Sequence, residues 1–416
     1  MTTVRETVEG RSWCRGVVWA VAALGLTCTT APTSPRTFDD LGRALEAAPA
    51  SAHATLVERY LRGRTTPIVE ADAVVFLVQA SPGRPPRIVG DFNGWGSVGD
   101  DFDEAAGRMS ALGASGWYGL RVALSPAARI EYRVAWGPDE QAVDPGNPEI
   151  VATGIQASSV VGMPDARRAP GIAALHQPPP ERVIALDVPS RVFGRARRVH
   201  VYLPPDDGRN LWPTIYVHDG STFIEDAGLP AILETQIVEH AMAPVIAVFT
   251  TPDDREDEYR RNPRHREWLT DDLVPFIDAH YPTRASATER AVLGASRGAL
   301  AAADVALVRP DVFGLCVALA PGLQPTTIVE DVRHTAASST RYFVLAGRYD
   351  LRWGDHGRRL AAALGEAGFA IEFVDAPVGH SHAAWRPYLF DVLSEFFSMR
   401  RARSDTLPRP SAGGAT

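Results

Sequence analysis

Ala291-Val292-Leu293 is a short apolar run that gives way to Gly294-Ala295-Ser296-Arg297-Gly298 and then to the alanine-rich stretch Ala299-Leu300-Ala301-Ala302-Ala303. An apolar run of strand length, a turn with glycine at both outer positions and a run of small helix formers together specify a strand that turns sharply into a helix. A serine at the centre of such a turn is pushed clear of the sheet edge, and small residues two positions either side let the backbone pass without clashing. GxSxG alone recurs by chance in long chains, and the flanking strand and helix patterns give it meaning here. Ser296 is therefore a candidate nucleophile, and the rest of the chain is read for the groups such a serine needs.

At 416 residues the chain is longer than one core usually holds, so two domains with tails are expected. A net charge of -8 argues against a nucleic-acid partner, because phosphate binding needs a basic surface. All 42 Lys and Arg positions are arginine. Arg5, Arg11 and Arg15 precede the apolar run Gly16 to Leu26, and small and polar residues follow. That order is the layout of an export signal over residues 1–28, and the apolar run is too short to span a bilayer. Export to a periplasmic, lipid-anchored or extracellular location is expected, with Cys28 a candidate lipid anchor. Of the three cysteines, Cys14 and Cys28 fall in the signal, so no internal disulfide framework is expected, and Cys316 reads as a buried strand residue.

After the signal, residues 37–65 carry apolar side chains at helical spacing interrupted by Pro49, which predicts two short helices. Residues 66–165 read as short strands separated by glycine and proline turns, a small all-β sandwich. In it Ile88-Val89-Gly90-Asp91-Phe92-Asn93-Gly94-Trp95, Gly116-Trp117-Tyr118, Tyr132-Arg133-Val134 and Val143-Asp144-Pro145-Gly146-Asn147-Pro148 appear in order. The series resembles the early-set, immunoglobulin-like domain that accompanies glycogen-branching and isoamylase-type enzymes. The resemblance implies a packed accessory domain, with Phe92 and Trp95 fixing its fold. Residues 166–180, with Pro178-Pro179-Pro180, form a linker, and residues 400–416 form a polar tail.

Between them, residues 181–399 alternate strand and helix patterns. Val183 to Val188 and Arg198 to Leu203 start the unit as an antiparallel pair. Apolar runs at Thr214, Val245, Ala291, Leu315, Tyr342 and Ile371 follow, most of them separated by helical stretches. An α/β class is predicted, with a mainly parallel sheet flanked by helices. A serine nucleophile needs a base, a group to orient that base and donors for the oxyanion. Asp350 follows the run Tyr342 to Ala346, and His380 follows the run Ile371 to Val374, giving the order Ser, acid, His. Asp355 and His382 are their nearest rivals. The glycine before His380, and Trp385 five residues after it, favour His380.

Tyr216-Val217-His218-Asp219-Gly220, Arg255-Glu256-Asp257-Glu258-Tyr259, Pro310-Asp311-Val312-Phe313-Gly314, Ala346-Gly347-Arg348-Tyr349-Asp350 and Gly379-His380-Ser381-His382-Ala383-Ala384-Trp385 join the serine motif in sequence. Together they resemble the putative-esterase family of α/β hydrolases, which includes enterochelin, feruloyl and acetylxylan esterases and mycolyltransferases. The resemblance implies Ser296 as nucleophile, His380 as general base and Asp350 as its orienting acid. It further implies the backbone N–H groups of Arg297 and Ser221 as oxyanion donors, with no cofactor or metal. Arg255 and Glu258 match a recurrent pair, read here as an ion pair beneath the site. Arg297 stands where the family has an apolar residue, and Arg297, Arg348 and Arg352 are expected to converge on the pocket. With Trp385 they would bind a small-molecule ester, a siderophore or carbohydrate ester. The functions that fit are an exported serine esterase, an acyltransferase on the same triad, or an inactive hydrolase fold that binds glycans.

Overall fold

We describe the chain from a computed structural model covering residues 34–81, 83–98, 101–103, 105–153, 156–168, 181–205, 210–322 and 325–398. The export signal, Cys28, the tail and most of the linker lie outside the described residues.

The C-terminal unit is built on eight strands: β1 (Val183–Val188), β2 (Arg197–Tyr202), β3 (Thr214–Val217), β4 (Ile246–Thr250), β5 (Arg290–Ala295), β6 (Leu315–Leu319), β7 (Arg341–Gly347) and β8 (Ala370–Ala376). They lie in the order β1-β2-β4-β3-β5-β6-β7-β8. β2 runs antiparallel to both neighbours, and every pairing from β4 onward is parallel. The central strands β3, β4, β5 and β6 are buried at every position because both faces are covered. On β5, Val292 packs into one core with Trp268, Ala299, Ala302 and Leu360, while the adjacent Leu293 packs into a second with Phe249, Leu233, Trp385 and Leu389. The helices Arg297–Val308 and Gly354–Glu366 cover the first face, and Leu229–Val238 and His382–Phe396 cover the second. Cys316 is buried in β6 and free.

The N-terminal unit has two antiparallel sheets that share a core. Val74, Phe76 and Val78 of the strand Ala73–Gln79 meet Ile88, Ile130, Tyr132 and Val161 of the opposite sheet. The strand Ala73–Gln79 does not alternate polar and apolar residues, because its other face is covered as well. Val75 and Leu77 pack against Leu41, Leu45, Val57 and Tyr60 of the helices Phe38–Ala47 and His53–Leu61. Thr37 starts the first helix in a reciprocal capping arrangement with Asp40. Pro49 ends it, as the sequence pattern predicts, because proline lacks the N–H that would continue the ladder.

A buried ionic cluster braces the β2 and β4 side of the sheet. Arg197 Nη2 lies 2.9 Å from Glu258 Oε1, and both side chains are almost fully buried. The guanidinium is sandwiched between Phe193 and Trp268, at 4.4 and 4.1 Å from their ring centroids. Burial pushes the Glu258 carboxyl up, but hydrogen bonds from His265 and Arg197 more than offset it and hold it at about 2. An acid with a depressed folded pKa contributes stability above its unfolded pKa, and that contribution is lost as pH falls through the folded value. Glu258→Gln is therefore expected to cost about 3 kcal/mol at pH 7, by leaving buried Arg197 with only the more distant carboxylate of Asp253, at 3.5 Å. Urea unfolding at pH 7 and pH 3 checks this: the gap to the parent chain should narrow at pH 3, and a constant gap would rule out the ionic origin.

Candidate active site

Ser296 lies at the β5-to-helix turn with φ 54 and ψ -121, a backbone state that non-glycine residues rarely adopt and that costs about 1–3 kcal/mol. The surroundings hold it there. Its N–H donates to the Leu319 carbonyl at 2.8 Å, and its own carbonyl accepts from Gly322 N–H at 3.0 Å. Gly294 has no room for a side chain, since a β-carbon there would lie 2.1 Å from the Gly298 carbonyl oxygen. Gly298 is similarly confined, by Asp219 Oδ2 at 2.8 Å from the same construction.

The acid and the base arrive on loops after β7 and β8. His380 Nδ1 lies 2.7 Å from Asp350 Oδ2, and the other carboxylate oxygen accepts from Trp353 N–H at 3.1 Å. An Nδ1–H donated to the carboxylate leaves Nε2 unprotonated, which is the tautomer a general base requires. Trp353 and Trp385 flank the imidazole at 4.7 and 4.9 Å between ring centroids, Trp385 edge-on. Of the rivals, Asp355 is exposed. His382 packs against Phe223 and Trp385, and burial lowers its pKa to about 4, so it is neutral at pH 7.

Ser296, Asp350, His380 and Trp385 line one cavity of about 1070 Å³. Part of its wall was not foreseen. Asp91, Trp95, Glu131, Arg133, Gln156 and Ser158 of the N-terminal sandwich line it together with Ser296. The one sequence signal that pointed there was the Gly90 to Trp95 motif, which reads as a fold determinant and gives no hint of what its domain docks against.

The arginines differ from expectation. Arg297 does not converge on the pocket: its guanidinium pairs with Glu256, and the residue is only 8% exposed. Arg348 turns instead to Asp375, with Nε 3.1 Å from its carbonyl oxygen and 3.2 Å from its carboxylate. Both find carboxylates closer than the cavity mouth. The arginines that do line the cavity are Arg352, Arg133 and Arg255. Arg255 is not paired with Glu258. It grips Asp219 bidentately, at 2.8 and 2.7 Å, while Glu258 serves Arg197 and His265.

Asp219 is the left-handed residue (φ 53) that turns β3 into the short helix Gly220–Glu225. Tyr259 Oη accepts its N–H at 2.9 Å. Ser221 follows, its N–H 3.3 Å from the Thr251 hydroxyl. Arg297 occupies the first position of the helix Arg297–Val308, where backbone N–H groups have no intrahelical acceptor. Among the described residues, no group of three or more His, Cys, Asp or Glu side chains is arranged to hold a metal ion.

A mainly parallel sheet with a serine elbow after β5, an acid after β7 and a histidine after β8 defines an α/β-hydrolase-type unit. Residues 190–388 match the model of the family described as putative esterase. The chain is 24% identical over 222 residues to an iron(III) salmochelin esterase of Escherichia coli, covering 48% of this chain and 54% of that protein. It is 26% identical over 227 residues to an endo-1,4-beta-xylanase/feruloyl esterase of Xylanibacter ruminicola, covering 50% of this chain and 30% of that one. The chain thus spans about half or less of the length of these relatives. Among solved structures, the ferric enterobactin esterase of Salmonella typhimurium superposes with a TM-score of 0.70 at 19% identity, over 84% of this chain and 100% of the other. The enterobactin esterase of Shigella flexneri gives 0.66 at 17% identity, over 82% and 97%. At such identities the likeness is one of fold, and it extends over both domains.

Proposed function

We propose that this chain hydrolyses carboxylic esters through an acyl-enzyme on Ser296. The observation that carries the reading is the 2.7 Å contact of His380 with Asp350 in the same cavity as a serine held at positive φ. In the first half-reaction Ser296 Oγ attacks the ester carbonyl while His380 Nε2 takes its proton, and Asp350 stabilises the imidazolium that forms. We assign the oxyanion to the backbone N–H of Arg297, at the start of its helix, and to that of Ser221, which would exchange its 3.3 Å contact with the Thr251 hydroxyl for the oxyanion. His380 then returns the proton to the departing alkoxide. Water, deprotonated by the same nitrogen, releases the acid and restores Ser296.

The cavity's size and lining favour a bulky, aryl-bearing, anionic ester. Trp95, Trp353, Trp385 and Tyr349 offer ring faces, and Arg133 and Arg352 offer guanidinium groups, whereas Arg255 is already held by Asp219. The names of the relatives, which act on siderophore and feruloyl esters, point the same way. The basic, apolar and small-residue order of residues 1–28 supports export; among the described residues no helix is long and apolar enough to cross a membrane.

A panel of a catecholate siderophore trilactone, a methyl feruloyl ester and p-nitrophenyl acetate, each with and without an alcohol acceptor, tests the assignment. The specificity constant for the aryl anionic ester should exceed that for the acetate by about tenfold or more, equivalent to about 1.4 kcal/mol of transition-state binding. Equal constants would remove the aryl and anionic preference, and a dominant transesterified product would make the protein an acyltransferase.

A further inference from the structure

Asp91 follows the strand Arg87–Gly90 of the N-terminal sandwich and is 4% exposed. Both of its carboxyl oxygens are in use: Glu131 N–H donates to Oδ2 at 2.7 Å and Trp95 Nε1–H to Oδ1 at 3.1 Å. The other side of the carboxyl faces the catalytic unit. It lies so close to Gly379 that a β-carbon at 379 would be 2.0 Å from Asp91 Cγ. Position 379, directly before His380, is glycine because Asp91 fills the space a side chain would take. Neighbouring contacts grip the same loops. Arg129 N–H donates to the Pro377 carbonyl at 3.1 Å, Arg129 forms a β-bridge with Val378, and Tyr349 Oη accepts from Ser125 N–H at 2.9 Å. The sandwich therefore holds the chain immediately before both His380 and Asp350.

We propose that Asp91 is a positioning residue for the reaction: its carboxyl, wedged against Gly379, sets the turn from which His380 reaches both Asp350 and the cavity. The inference rests on the Ser296, His380 and Asp350 reading and adds the N-terminal domain to the working parts of the site. It also carries a pH signature. The groups facing Asp91 are Glu131 on the neighbouring strand of its own sheet, the Trp95 indole in its own turn and Asp350 across the domain junction, while Arg129 and Arg133 act on Glu131. Burial, then the charge of Glu131, push the Asp91 carboxyl up to about 8 against the pull of its two N–H donors, with Asp350 adding a smaller push. A raised folded pKa means the seating of this acid is strongest when it is protonated and is lost as pH rises through the folded value. An alkaline decline in kcat near pH 8 follows.

The test uses the full chain, p-nitrophenyl butyrate turnover, and the rate at which a fluorophosphonate labels Ser296. Asp91→Ala should lower kcat about tenfold with little change in KM, and Gly379→Ala by about thirtyfold or more, the scale of a small misplacement of a catalytic group. In the Gly379→Ala background, Asp91→Ala should restore turnover severalfold, because the methyl group then has room. Asp91→Asn, which cannot ionise, should abolish the alkaline decline in both turnover and labelling rate. Circular dichroism confirms that each variant is folded, and the Asp91→Asn profile stands whether or not Gly379→Ala folds. The proposal is overturned if Asp91→Asn keeps the parent's alkaline midpoint, or if Asp91→Ala leaves kcat at the parent value. Failure of the triad reading is distinguishable, since the parent chain would then carry no label on Ser296.

Discussion

Ser296→Ala is expected to abolish ester hydrolysis by about three or more orders of magnitude while the chain folds normally, the scale seen when a triad nucleophile is removed. The substitution deletes one oxygen from an elbow whose backbone is held by Leu319 and Gly322, not by the side chain. Thermal stability should therefore hold or rise slightly, since alanine brings no polar atom to the turn. The parent chain should carry a fluorophosphonate adduct on Ser296 by peptide mass mapping, and the variant none. Label on another residue, or near-parent turnover in the variant, would end the serine-hydrolase reading.

The second large effect separates two histidines two positions apart. His380→Ala should reduce kcat by about three orders of magnitude, because Ser296 then has no base and Asp350 no partner. His382→Ala should act through packing. Its ring meets Phe223 at 4.9 Å and Trp385 at 5.2 Å, and Trp385 in turn backs His380 and donates from Nε1 to the Gly379 carbonyl at 3.3 Å. A loss of about tenfold or less is expected, accompanied by a lowered melting temperature of the kind that removing a partly buried ring produces. Steady-state kinetics at pH 7 decide between them. The reverse ranking would mean that His382 is the working base and that the Asp350 contact is structural.

The two arginine results show how far local reading carries. Arg297 sits one residue from the nucleophile, and proximity along the chain suggested proximity to substrate. A helix's first residue can put its backbone N–H beside the serine while its side chain leaves in another direction, and here that direction leads to Glu256. Arg348 follows the same logic with Asp375. A guanidinium on a long flexible stem takes the best carboxylate within reach, and which carboxylate that is depends on strands distant in sequence. Arg255 shows the converse: Glu258 is three positions away on the same short helix, yet Arg255 pairs with Asp219 at the end of β3.

By itself the sequence determined the elements whose cause is local. The strand-to-helix turn at Ser296 follows from glycines where no β-carbon fits, the parallel sheet from apolar runs buried on both faces, and the break between the first two helices from Pro49. The positions of Asp350 and His380 after successive strand ends were legible for the same reason, since order along the chain becomes order along a parallel sheet. Only the tertiary structure decided what faces what. It lined the cavity with Trp95, Arg133 and Glu131 from a domain more than a hundred residues upstream of Ser296, redirected Arg297 and Arg348, and seated Asp91 against Gly379. These are contacts between surfaces. Their energies come from shape, burial and charge pairing summed over residues far apart in sequence, and a one-dimensional pattern carries no record of which surfaces will meet.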